Sequence, residues 1–126
     1  MKLAQQVVSL EIAKRLRGFG VNQESYFLWY GGQVLRENQL TQELRRHEPP
    51  LPAYTVAELG DMLPHRVQSA EGGCFFPSYT TKDSDGRWLV SYHRLLASIE
   101  AETEADARAK MLIYLLENNL ITLSAA

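Results

Sequence analysis

The residues of this chain that could do chemistry are few and widely spaced. Its single cysteine, Cys74, follows Gly72 and Gly73. A nucleophilic thiol needs a base and an electropositive setting. No partner adjoins Cys74, and a buried strand cysteine is the favoured reading. The three histidines, His47, His65 and His93, show no ligand spacing. One cysteine excludes an intramolecular disulfide and any zinc site built on several thiolates. No metal and no cofactor is expected. The chain contains no G-x-S-x-G, G-x-x-x-x-G-K-[ST], H-E-x-x-H or C-x-x-C pattern. Without a positioned acid, base or nucleophile, the expectation is that this protein is not an enzyme.

What remains is chemistry of binding. His93 and Arg94 form the sharpest polar pair. They could contact an anion or phosphate at a sheet end, where Arg offers a forked donor. The competing reading is a solvated surface pair. Aromatic residues are dense between Tyr26 and Tyr92: Tyr26, Phe27, Trp29, Tyr30, Tyr54, Phe75, Phe76, Tyr79, Trp88 and Tyr92. Because side chains alternate along strands, these cannot all face one side of one sheet. Either the sheet is covered on both faces, or some of them line a pocket or an interface. Aromatics beside Arg36, Arg87 or Arg94 would suit a nucleotide or base. The ligand-binding set expected on this argument is Trp29, Tyr30, Arg36, Trp88, Tyr92, His93 and Arg94. Ordinary core packing of the aromatics is the competing reading.

The whole chain bounds these readings. Its 126 residues fit one domain with a sizeable core. Apolar residues make up 45% and charged residues 22%, which excludes a disordered chain. A formal net charge of −2 argues against nucleic-acid binding driven by overall charge. No apolar run approaches the roughly 18–20 residues of a membrane span. The N-terminus lacks the apolar core of a signal peptide. No membrane partner is expected, and the expected location is the cytoplasm.

The elements that would position any site follow from periodicity. The segment Thr103–Ile121 reads as a helix, with Thr103 and Asp106 as a capping-box-like pair and Ala105, Ala109, Leu112 and Leu116 on one face. Met111 and Tyr114 widen the apolar surface beyond one stripe, so this side should meet the N-terminal helix or a second subunit. Both residues are candidates for an interface, and a homo-oligomer is expected. Ser9 would cap a helix over Leu10–Arg17, stopped by Gly18 and Gly20. A helix-turn-helix would need a second helix over 23–30, but Ser25–Tyr30 is aromatic and suits a strand. Gly31-Gly32 is a two-residue turn leading to a second arm over Gln33–Glu37. Residues 38–53, with Pro49, Pro50 and Pro52, read as a surface loop; the mixed signs around Arg45 and Arg46 suit solvent. Thr55 and Glu58 form a capping-box pattern opening a short helix to Leu63. Residues 65–72 read as a polar connection. Gly73–Thr80 and Arg87–His93 form a second hairpin, with Pro77 implying an edge or broken strand. The expected fold is α+β: one antiparallel sheet of about four strands from two hairpins, three helices, and the long C-terminal helix packed on the sheet.

Three stretches carry a resemblance: S-L-E-I-A-K-R-L (Ser9–Leu16), T-V-A-E-L-G-D-M-L-P (Thr55–Pro64) and T-E-A-D-A-R-A-K-M-L-I-Y-L-L-E-N (Thr103–Asn118). In that order they resemble an uncharacterised family of small bacteriophage and prophage proteins. The family has no assigned chemistry, so no functional residue carries over. The resemblance implies an accessory or host-counteracting protein in bacterial cytoplasm. Combined with the aromatics and scattered arginines, it leads to an expected function: non-catalytic sequestration of a small nucleotide-derived host immune signal. The alternative is a protein-interaction module that inhibits or adapts a host protein.

Overall fold

The computed structural model describes residues 3–21, 25–39, 41–42, 50–63, 66–68, 75–92 and 98–118. The one-turn helix α1 (Leu3–Gln6) is followed by α2 (Leu10–Gly18). Strands β1 (Phe27–Tyr30) and β2 (Gln33–Arg36) come next, then a 3-10 turn over Glu37–Gln39 and β3 (Leu51–Pro52). Helix α3 (Val56–Met62) leads to β4 (Arg66–Gln68), β5 (Phe75–Lys82), β6 (Trp88–Tyr92), β7 (Ser98–Ala101) and α4 (Glu104–Glu117). The class is α+β.

The expected single sheet is corrected to two. Each hairpin organises its own antiparallel sheet, with strand orders β2-β1-β3 and β4-β5-β6-β7. The additional strands are two to four residues long. Runs that short show no two-residue period, which is why β3 and β4 read as loop and polar connection. The first hairpin turns at Gly31 and Gly32, with φ of 57° and 79°. Positive φ at both central residues is what a type I′ turn requires. The expected surface loop over 38–53 is also corrected at its end. Leu51, Pro52 and Ala53 are buried, β3 pairs with β1, and Ala53 N–H donates to Phe27 C=O at 2.8 Å. Pro52 fits there because β3 is an outer strand. In the larger sheet, Phe75–Pro77 pair with β4 and Ser78–Lys82 pair with β6. Pro77, lacking an N–H, stands where the described pairing changes sides.

Helix α4 is the centre of the core. Ala105, Ala107, Ala109, Met111, Leu112, Ile113 and Leu115 are all buried. These positions cover most of the helix circumference, so the helix is enclosed on more than one side. It packs on β6 and β7 of the larger sheet and against α2 and α3. Trp88, Val90, Ile99 and Ala101 belong to the same core, and the register pairs Trp88 with Ala101 and Val90 with Ile99. Helix α2 in turn packs on β3 of the smaller sheet.

The N-termini of α2 and α4 are joined by one carboxylate. Thr103 Oγ1 accepts from Asp106 N–H at 3.2 Å, as a cap should. The Asp106 carboxylate does not return to Thr103, which corrects the capping-box expectation. Its Oδ1 accepts from Ser9 N–H at 2.8 Å instead. The Ser9 side chain makes no capping hydrogen bond. Asp106 therefore places negative charge beside two helix N-termini, where both dipoles favour it. At the other end Arg15 and Glu117 approach to 3.2 Å, so the two helices run parallel. This end is about half exposed and contributes about 0–1 kcal/mol. Helix α4 ends at Asn118, whose backbone and side-chain N–H groups both donate to Tyr114 C=O. Asn118 has φ of −98°, so no left-handed residue is used at this position. Residues 119–121, the end of the expected helix, lie outside the described residues.

The segment Val7–Val8 is held from both sides. Val8 N–H donates to Tyr54 C=O at 2.9 Å, and Trp29 Nε1–H donates to Val8 C=O at 2.8 Å. Val7 forms an antiparallel bridge with Thr55. Tyr54 has no exposed surface. Burial, with the Glu58 carboxylate adding to it, pushes its phenol well above the ordinary value near 10.

Three stability measurements follow. Asp106→Ala should cost about 1–2 kcal/mol in urea unfolding, because it removes charge and acceptor from two helix ends. Glu117→Gln should cost less than about 1 kcal/mol, and equal losses would contradict the shared cap. Met111→Ala should cost about 2–5 kcal/mol, since Met111 is fully enclosed within one chain. Tyr54 stays neutral in the folded chain while the unfolded chain ionises near pH 10. Its contribution is therefore complete below pH 10 and falls by up to about 1.4 kcal/mol per pH unit above it. Tyr54→Phe should flatten that alkaline decline between pH 8 and 11; parallel declines in the two proteins would exclude this origin.

Candidate functional site

The Lys82–Trp88 pair comes from the second hairpin. The turn is built by Asp83, whose Oδ1 accepts from Asp85 N–H at 3.0 Å and Arg87 N–H at 2.9 Å. Gly86, at φ 82°, completes it. The resulting register sets Lys82 directly opposite Trp88. Lys82 Nζ lies over the indole, 5.6 Å from its centroid, in the range of a cation–π contact. Trp88 is half-buried: it packs against the core and also faces outward.

This pair forms one wall of a cleft of about 560 Å³. Gln5 and Gln6 of α1 border it on another side. Thr55, Val56 and Ala57 bring the start of α3, and Glu102, Thr103 and Glu104 bring the start of α4. Each wall is fixed by local chemistry. Thr55 and Glu58 complete the expected capping box, with bonds of 3.2 Å and 3.0 Å. Glu58 Oε1 also accepts from Ser25 Oγ–H at 2.9 Å, tying α3 to the chain entering β1. Glu104 pairs with Arg108 at 2.9 Å. The same guanidinium lies over Gly60: a Cβ built there would stand 3.0 Å from one of its nitrogens. The absence of a side chain at residue 60 leaves this guanidinium its room beside α3.

Of the expected ligand-binding residues that the structure describes, Trp88 is the one shown lining this cleft. Trp29 belongs to the other sheet, packs against the core and donates its indole N–H to Val8. Tyr30, half-buried, and Arg36, exposed, also lie in the smaller sheet. Tyr92 ends β6, while His93, Arg94 and Cys74 lie outside the described residues. The expected cluster is thus divided between two sheets, because the two hairpins do not share one. The interface expectation changes too. Met111 has no exposed surface and Tyr114 is half-buried against the core. Met111 stands roughly 140° around α4 from Asp106, the residue that touches α2. It is enclosed within the chain without a second subunit.

Sequence reasoning missed Lys82, the two glutamines and Glu102. The hairpin turn K-D-S-D-G-R-W was the available signal for Lys82, since a turn over 83–87 sets residue 82 opposite residue 88. Nothing local signals that the starts of α3 and α4 converge on that hairpin.

Among the described residues no group of three or more His, Cys, Asp and Glu could hold a metal ion. No described helix is long and apolar enough to cross a membrane. Set against protein-family models, curated proteins and solved structures, the chain matches none of them.

Proposed function

We propose that this is a non-catalytic accessory protein that holds a small nucleotide-derived molecule in the cleft beside Trp88. The observation that carries the reading is the half-buried indole facing a concave volume of about 560 Å³. That volume is in the range of small-molecule sites. An indole face stacks on any base without sequence preference, and such stacking is worth about 1–3 kcal/mol. Binding is favoured over catalysis because four polar side chains of the walls already serve the fold. Thr55 and Thr103 are caps, Glu104 holds Arg108, and Lys82 covers Trp88. The resemblance of three stretches to small bacteriophage proteins supports a setting in bacterial cytoplasm. Withdrawing a nucleotide signal there would keep it from a host defence effector.

The alternative, a module docking on a host protein, draws on Tyr26. This residue is 77% exposed immediately before β1 and, among the described residues, is the more exposed of the two large hydrophobic side chains left in solvent.

Thermal unfolding in the presence of nucleosides, mononucleotides, cyclic dinucleotides and ADP-ribose separates the two. A ligand at about 100 times its dissociation constant adds about 2.7 kcal/mol of stability. At least one member of the panel should raise the unfolding temperature. Trp88→Leu should abolish the rise and Tyr26→Ala should leave it intact. An unchanged unfolding temperature with every member would overturn the cleft reading.

A further inference from the structure

The cleft's charges select among nucleotide-derived ligands, an inference that rests on the binding role just described. Two carboxylates line the cleft, Glu102 and Glu104. Glu104 is neutralised by Arg108 at 2.9 Å. Among the described residues the lining then presents one further cation, Lys82, and one further carboxylate, the exposed Glu102. The two helix starts add N–H dipoles, but Glu104 and Asp106 occupy the first turn of α4. We propose that the cleft takes a planar, amino-bearing nucleobase with no more than one anionic group, and rejects polyphosphates.

The chemistry of each part supports this. The base lies on the Trp88 face, which is already electron-rich enough to hold the Lys82 ammonium. For the base to stack there, Lys82 swings off the ring, and its ammonium then meets one phosphate or carboxylate of the ligand. An exocyclic amino group has Glu102 as an acceptor. A triphosphate brings several negative charges to a site with one available ammonium and sets the rest against Glu102. Like charges placed together across an interface weaken binding strongly.

Calorimetric titration of the full chain with adenosine, AMP and ATP tests the ranking. Adenosine and AMP should bind, and ATP should bind about tenfold or more weakly than AMP. Glu102→Gln, at an exposed position, should narrow the gap between AMP and ATP without changing the unfolding temperature. Lys82→Met should lower affinity for AMP but not for adenosine, because only AMP offers the anion. Binding of ATP as tight as or tighter than AMP, or an unchanged gap in Glu102→Gln, overturns the charge selection while leaving the cleft a nucleotide site. Absence of heat with all three compounds, joined to an unchanged unfolding temperature across the wider panel, overturns the binding role itself.

Discussion

A single carboxylate fixes the relation between the two main helices. Asp106 is held at the start of α4 by Thr103 and accepts the backbone N–H of Ser9 at the start of α2. Its position sets where α2 begins, and the parallel run of α2 along α4 follows. The apolar residues of α2, Ile12, Ala13 and Leu16, are then buried in the shared core. Because α2 also packs on β3, the smaller sheet is located by the same arrangement. The larger sheet lies directly on α4. The whole carboxylate is worth only about 1–2 kcal/mol; its weight is geometric, since it positions surfaces whose burial supplies far more.

The cleft is a by-product of the same geometry. Helices α3 and α4 pack on each other, and the Arg108 guanidinium lies against Gly60 where a side chain would crowd it. Trp88 reaches both core and cleft because β6 pairs with β7 under α4. The site thus draws on segments far apart in the chain, each kept in place by a bond made for structural reasons. A binding function asks for this kind of rigidity, since a pre-formed cleft spends little of its affinity on ordering.

Much of the secondary structure was legible in the residues. Thr103 and Thr55 marked helix starts through their caps. Gly31-Gly32 and the D-S-D-G run marked turns, and the long helix was plain from its period. The pairing of hairpins into sheets was not legible, because β3 and β4 are too short to carry a pattern. The choice Asp106 makes between Thr103 and Ser9 was equally hidden: a capping-box sequence specifies what the carboxylate can reach locally, and a better-placed donor came from elsewhere. The cleft was legible only at Trp88. Its remaining walls depend on tertiary proximity, and the expected partners of Trp88 were assigned by composition: Trp29, Tyr30 and Arg36 lie in the other sheet, Tyr92 ends the strand of Trp88 itself, and His93 and Arg94 lie outside the described residues.

The bond between Ser9 and Asp106 closes a separation of 97 residues. Its consequence is temporal. An emerging N-terminal segment can pair its hairpin with β3 and lay α2 against it, but the nine-residue α2 has no cap acceptor and no α4 to pack on until residue 106 and the helix after it have been made. Topologies dominated by such distant partners close slowly, because loop entropy is lost before contacts return it. Until then the side of α2 that meets α4 stands uncovered, and the interval between synthesis of α2 and arrival of α4 is when this chain is most exposed to proteases and to aggregation.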